Sequence, residues 1–318
     1  MRASLGLPTH RIDRGDEFVG GDAIAHMARA AEAAGFDAVF VTEHPFPGDA
    51  WLAHGGHHAL DPLVALSFAA AATTRLRLQT NLYIAAYRNP FLSAKAVATL
   101  DVLSGGRVIL GVGTGYLEPE FVALGVDFEE RNALTDEALR AMKAAWSGES
   151  VALDGMHFTA TGNTMLPRPV QRPHPPLWVG GNSRRAIRRA VEQADGWVPM
   201  PNPARSASRR RTPPLESIDD LRAGIAYARE HGEAVGREAP LDVEFMALGA
   251  DMFSTGRLDA GRVVESVAEL AAAGVTWLAA GVPGESRAEF VDNVVRYGEE
   301  VLRSPDFPAT PAGPSKLS

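Results

Sequence analysis

No cysteine occurs in the 318 residues. Disulfides, thiolate nucleophiles and cysteine-ligated metals are therefore excluded. No apolar run is long enough to span a bilayer, and no charged-then-apolar leader opens the chain. The expectation is a soluble cytoplasmic protein with no membrane partner. Positive charge is in deficit as well: Lys and Arg number 31 against 39 Asp and Glu, a net charge of −8, which argues against nucleic acid as a partner. No Ser-His-Asp arrangement is legible. The histidines at 54, 57 and 58 have no paired carboxylates beside them, so no metal is expected. What is present is 46% hydrophobic, enough for a large buried core.

The stretch Leu76–Tyr116 organises the rest. Leu76, Leu78, Leu82 and Ile84 read as a strand, and Asn89-Pro90 opens a helix that Ser104-Gly105-Gly106 stops. Val108–Val112 is a nearly unbroken apolar run, as in a strand covered on both faces. It ends in Gly111-Val112-Gly113-Thr114-Gly115, where backbone can approach a ligand closely. Along the chain the same alternation recurs. Ala3–Leu7 reads as a strand, Gly21–Ala34 as an amphipathic helix with Asp22 as N-cap, and Asp37–Thr42 as a strand. A long loop follows over 46–60, then a helix from Asp61-Pro62 to about Thr74. Later come a helix over 131–146, a hairpin around 151–158 and the strand Leu177–Gly180. A helix over 183–193, a strand over 196–200 and a helix over 218–235 follow. The strand 241–250, the helix 262–273, the strand 275–280 and the helix 287–303 complete the series. Eight strands each followed by a helix predict an α/β fold of the (β/α)8 TIM-barrel type. The competitor, an open doubly wound sheet, would carry a glycine-rich turn after its first strand; this one ends in Leu7-Pro8. The expected layout is a single barrel over 1–304, with insertions at about 147–175 and 201–216, and a disordered tail over 305–318.

Polar residues cluster at the expected C-terminal strand ends. Glu43-His44 ends strand two, Asn81 lies late in strand three, Gly113-Thr114-Gly115 ends strand four and Gly180-Gly181-Asn182-Ser183 ends strand five. Asp195-Gly196-Trp197 sits at strand six. His44 is either a rim histidine with a satisfied ring or a general acid/base. The Gly-Val-Gly-Thr-Gly turn serves either tight backbone packing or a ligand. Gly180–Ser183, opening a helix, offers free N–H groups and a hydroxyl that suit a phosphate, or else an ordinary N-cap. Arg184, Arg185, Arg188 and Arg189 oppose the helix dipole. They form either a solvated face or the surroundings of an anion.

These segments together resemble the bacterial luciferase-like superfamily of flavin and deazaflavin oxidoreductases. The likeness runs through AAGFDAVFVTEH, RNPFLSAKAVATLDVLSGGRVILGVGTGY, RPVQRPHPPLWVGG and ADGW, and is nearest to the branch that uses coenzyme F420, a 5-deazaflavin. The resemblance implies a barrel with the cofactor at its C-terminal rim and His44 beside the ring. It also implies a non-prolyl cis peptide at Asn81-Leu82 behind the ring and phosphate contacts around Gly113, Thr114, Gly115, Gly180, Gly181, Asn182 and Ser183, with Glu43, Asn81 and Leu82 also counted as cofactor-binding. Sugar-phosphate dehydrogenases of the family carry glutamate after the Thr-Gly pair. Tyr116 stands there instead, which puts that substrate in doubt and makes Tyr116 the candidate hydroxyl donor. The implied activity is hydride transfer between F420 and a small organic substrate, with a flavin or F420 reductase as electron source and a homodimer as the common assembly. The arginines at 184–189 and 209–211 are candidates for the cofactor's anionic tail. A two-component monooxygenase using reduced FMN and O2 is the alternative, and a non-catalytic flavin-binding protein the second.

Overall fold

The computed structural model describes residues 1–246 and 258–309. In chain order its elements are β1 (Arg2–Gly6), α1 (Gly21–Ala34), β2 (Ala38–Val41), α2 (Asp49–Ala53), α3 (Pro62–Ala72), β3 (Arg77–Ile84), α4 (Pro90–Ser104), β4 (Val108–Gly113), α5 (Glu118–Ala123) and α6 (Arg131–Trp146). There follow β5 (Val151–Asp154), β6 (Thr159–Asn163), β7 (Leu177–Gly180), α7 (Arg184–Gln193), β8 (Gly196–Val198), α8 (Ala204–Arg210), α9 (Ile218–Ala234), β9 (Asp242–Met246), α10 (Ala260–Ala273), β10 (Trp277–Ala280) and α11 (Arg287–Tyr297). Eight parallel strands close in the order β1-β2-β3-β4-β7-β8-β9-β10, the expected TIM barrel. β5 and β6 form a separate antiparallel hairpin.

Local chemistry sets the boundaries. Asp61 accepts the N–H groups of Leu63 and Val64 at the start of α3, Asn89 accepts that of Phe91 at α4, and Ser183 accepts that of Ala186 at α7. Each cap satisfies donors that a helix leaves orphaned. Gly35 closes α1 at φ 103°, a conformation that costs a residue without Cβ little. Asp22 is not the cap of α1. Gly20 holds that position without a side-chain bond, and Asp22 lies in the first turn, where its charge still complements the dipole.

Other expectations shift. The hairpin extends to Asn163 rather than ending near 158. Segment 201–216 is not loose: it contains α8, and the buried Asn202 amide donates to the carbonyls of Thr212 and Pro213. β9 is described only to Met246; residues 247–250 of the expected strand lie outside the described residues. Of the expected tail, 310–318 lie outside them too. Before that point Phe307 packs on the core and the terminal amine of Met1 donates to Pro308 O at 2.6 Å.

The barrel interior holds Ala38, Ile109, Trp178, Val198 and Trp277, with Leu82 packed against them. Among these apolar residues sits a carboxyl. Glu244 on β9 is fully buried; Ser4 Oγ donates to its Oε1 at 2.5 Å and Gln79 Nε2 to its Oε2 at 2.5 Å. Burial pushes its pKa up to about 7, because desolvation disfavours the charged form. The folded-state value thus lies above the unfolded one, so destabilisation by Glu244 grows as pH rises from 4.5 to about 7 and is complete above it. Glu244→Gln should therefore raise the midpoint of thermal unfolding by about 5 °C at pH 8 and hardly at all at pH 4. An equal shift at both values would show that the carboxyl does not titrate in the fold.

Candidate active site

The parallel strands carry their polar ends to one rim, and β3 does so with an irregularity. Its pairing with β4 slips between Thr80 and Tyr83, and the Asn81–Leu82 peptide is cis. The bulge turns Leu82 into the barrel. An added Cβ at Gly180 would come within 2.1 Å of a Leu82 methyl, and one at Gly113 within 3.3 Å of Leu82 carbons. The space left by these two glycines is therefore taken by Leu82, and their service to a phosphate is not through clearance. The result is a close-packed patch between β4 and β7, with Leu82 lying over two bare glycine backbones, which is the candidate cradle.

Glu43 also takes a different place from that expected. Its side chain is buried; Oε2 accepts the N–H of Ile84 at 2.6 Å, and Oε1 accepts Arg88. Both oxygens are thus committed to the end of β3, so Glu43 braces the bulge instead of reaching a cofactor. Arg88 in turn lies 4.5 Å from the centroid of the Tyr83 ring and 3.6 Å from Asp61.

His44, the next residue, points into the mouth. Its side chain is 10% exposed, and Nδ1 lies 3.3 Å from Glu120 Oε2. Its ring packs edge-on against Tyr116 at 6.1 Å between centroids and against His57 at 4.9 Å, and is tilted against Trp51 at 4.5 Å. Trp51 belongs to α2, so the 46–60 loop folds its aromatic side back over His44. His57 Nδ1 lies 2.9 Å from His58 O, so that nitrogen carries the proton. Burial lowers the His57 pKa to about 4, which keeps the ring neutral near pH 7. Burial pushes the Tyr116 phenol up to about 12, so it remains a hydroxyl donor.

Glu120 was missed in the sequence. It is buried in α5; Oε1 accepts the N–H of Phe46 at 3.2 Å and Oε2 the hydroxyl of Tyr87 at 2.9 Å. Nothing in the acidic run Glu118-Pro119-Glu120 distinguishes it from a solvated residue; only the docking of α5 against β2 and the turn after β3 does.

At the other side of the rim, Thr114 and Gly115 follow β4, with Gly115 at φ 77°. Ser183 Oγ accepts Ala186 N–H, the N-cap arrangement, which leaves its own proton and the first-turn amides of α7 available to an anion. The side chain of Asn182 is not available: it donates to Met200 O and Pro213 O and accepts Met200 N–H, tying the β7 and β8 loops together. The arginine run is occupied too. Arg185 and Arg189 hold Asp136 at 3.0 and 2.5 Å, Arg184 lies 5.1 Å from the Tyr227 ring centroid, and Arg188 donates to the Tyr227 hydroxyl. These arginines bind α7 to α6 and α9 and do not surround a rim anion. The cations nearer the mouth are on α8. Arg211 pairs with Glu118 at 2.9 Å, and Arg209 and Arg210 lie close enough to the Tyr116 phenol to oppose its upward shift.

A groove of about 420 Å³ lies outside the barrel, lined by Phe91, Lys95, Val151, Ala160, Met165 and Leu166; it contains none of the residues above. Among the described residues no group of three or more His, Cys, Asp or Glu could hold a metal, and no helix is long and apolar enough to cross a membrane.

Comparisons with known proteins agree with the barrel fold. A model of the family described as luciferase-like monooxygenase matches residues 5–250. An uncharacterized protein of Mycobacterium tuberculosis is 37% identical over 190 residues, covering 56% of this chain and 67% of its own. An F420-dependent glucose-6-phosphate dehydrogenase of Beutenbergia cavernae is 31% identical over 331 residues, 90% of this chain and 94% of that one. Among solved structures, a monooxygenase from Streptomyces bottropensis superposes with a TM-score of 0.75 at 22% identity, covering 95% of this chain and 99% of that chain.

Proposed function

We propose, since this chain belongs to the luciferase-like monooxygenase family and is an oxidoreductase of that kind, that it transfers a hydride between coenzyme F420 and a small organic substrate. The observation that carries this reading is the packing of His44, just after β2, against Tyr116, just after β4, on either side of the β3 bulge that carries Asn81 and Leu82. The full-length likeness to a protein named as F420-dependent supports the deazaflavin over FMN.

The residues present fit such a group. Leu82, packed over Gly113 and Gly180, would lie behind a planar ring, and Thr114, Gly115, Gly181, Ser183 and the first turn of α7 would hold its phosphate. F420, when bound, supplies or takes the hydride at C5. The chain's part is the proton. As a hydride leaves the carbon of an alcohol, His44 takes the hydroxyl proton and a carbonyl remains; in the opposite direction His44 returns it. Tyr116 donates a hydrogen bond to the same oxygen, and Trp51 with the 46–60 loop keeps water from the mouth. Recycling of the cofactor would fall to a separate reductase.

The test is to titrate the protein in parallel with F420 and FMN, each oxidised and reduced, following fluorescence. F420 should bind at least about tenfold tighter than FMN, a difference of about 1.4 kcal/mol. Preference for reduced FMN would replace this reading by oxygen-dependent monooxygenation, and binding of neither would end it. Charge reversal at Arg209 and Arg210 together should weaken F420, with its anionic tail, by about tenfold and leave FMN nearly unchanged. Equal weakening of both cofactors would remove α8 from the cofactor site.

A further inference from the structure

We propose that Glu120 is a positioning residue that fixes the tautomer of His44, so that Nε2 is the nitrogen that exchanges the proton. This rests on the reading of His44 as the proton-transferring group, but its first test does not.

The carboxyl of Glu120 is 1% exposed and meets donors on both oxygens. Phe46 N–H can only donate, and it lies 3.2 Å from Oε1. Tyr87 donates to Oε2 at 2.9 Å; burial and the neighbouring carboxylate push its phenol upward, so it stays a donor over the working pH range. An ionised carboxylate only accepts hydrogen bonds. The His44 Nδ1 that stands 3.3 Å from Oε2 must then carry its hydrogen, and the lone pair of neutral His44 is on Nε2. When the substrate hydroxyl proton moves to Nε2, the imidazolium forms beside a negative charge that is already in place.

Other groups facing His44 supply no competing charge. His57 is held neutral by burial, Tyr116 remains a phenol, and Trp51 is uncharged. Glu43, one residue earlier, is paired with Arg88, while Arg209 and Arg210 act on Tyr116. Glu120 also ties down the root of the 46–60 loop through Phe46. A purely structural role would end there and would not decide which His44 nitrogen carries the proton.

The test is histidine 15N NMR on the cofactor-free protein, with the His44 signals identified by their loss in His44→Gln. The wild-type protein should show the Nδ1–H tautomer, a result that needs no Glu120 variant to fold. In Glu120→Gln the amide oxygen is kept by the Phe46 N–H and the NH2 faces Nδ1, so the Nε2–H tautomer should gain population, whereas Tyr87→Phe, which keeps the carboxylate, should keep the Nδ1–H tautomer. With substrate and cofactor, Glu120→Gln should lose roughly tenfold or more in kcat with KM little changed. An Nε2–H tautomer in the wild type, or an unchanged Nδ1–H tautomer in folded Glu120→Gln, would overturn the proposal. Failure of F420 and FMN to bind, with the NMR result intact, would instead remove the hydride-transfer reading.

Discussion

Arg88→Met is expected to cost about 3–5 kcal/mol of folding stability near pH 7.5, because it strands a buried carboxylate. The Glu43 side chain is 1% exposed, and Arg88 is its charged partner. Burial already pushes the Glu43 pKa upward, with Arg88 and the Ile84 N–H pulling against it. Once the guanidinium is gone, only the N–H remains and the folded-state pKa rises further above the ordinary glutamate value of 4.5. A raised carboxylate pKa destabilises at pH values above the unfolded one, so the loss should grow with pH from about 4.5 upward and shrink toward it. Chemical denaturation at pH 5 and 8 measures this. The double variant Glu43→Gln/Arg88→Met should recover most of the loss, since it removes the charge as well as its partner. A loss that is independent of pH and not recovered would mean that Arg88 acts through its stacking on Tyr83 rather than through Glu43. Function should suffer as well. The Glu43–Ile84 bond holds the end of β3 just after the bulge that places Leu82, so cofactor binding should weaken in Arg88→Met even where the fold survives.

The barrel and most of its helix boundaries were legible in the sequence because their causes are local. Asp61-Pro62, Asn89-Pro90 and Ser183 are cap signals within four residues of the donors they satisfy. The apolar run Val108–Val112 is explained by a strand covered on both faces. The rim positions of His44 and Tyr116 follow from strand order alone. What could not be read depends on contacts between distant segments. Glu120 reaches His44 across 76 residues, and in the sequence it is one carboxylate of an acidic run. Glu43 looked like a rim ligand because it precedes His44, yet strand geometry turns it to the backbone of Ile84 41 residues away. The arginines of α7 had the composition of an anion site, but Asp136 on α6 had already neutralised part of it. Gly113 and Gly180 read in the sequence as room for a ligand; the group that approaches them in the fold is the chain's own Leu82, which becomes visible only with the slipped β3–β4 pairing.

His44→Ala should lower kcat by about 10²–10⁴-fold, the range for losing a positioned acid/base, while leaving F420 affinity nearly intact. The separation of the two effects follows from the geometry. Phosphate contacts are offered by Thr114, Ser183 and the start of α7, and the ring floor by Leu82 and its bordering glycines; none depends on the imidazole. His44 is held from the opposite side by Glu120, Trp51 and His57, so truncation opens space in the mouth without touching the cradle. Steady-state kinetics in both directions, beside fluorescence titration of the cofactor, measures the two effects separately. Unchanged turnover in His44→Ala would favour a protein that binds a flavin-like cofactor without catalysis at this residue. Loss of cofactor binding together with turnover would mean that His44 belongs to the cradle rather than to the proton path.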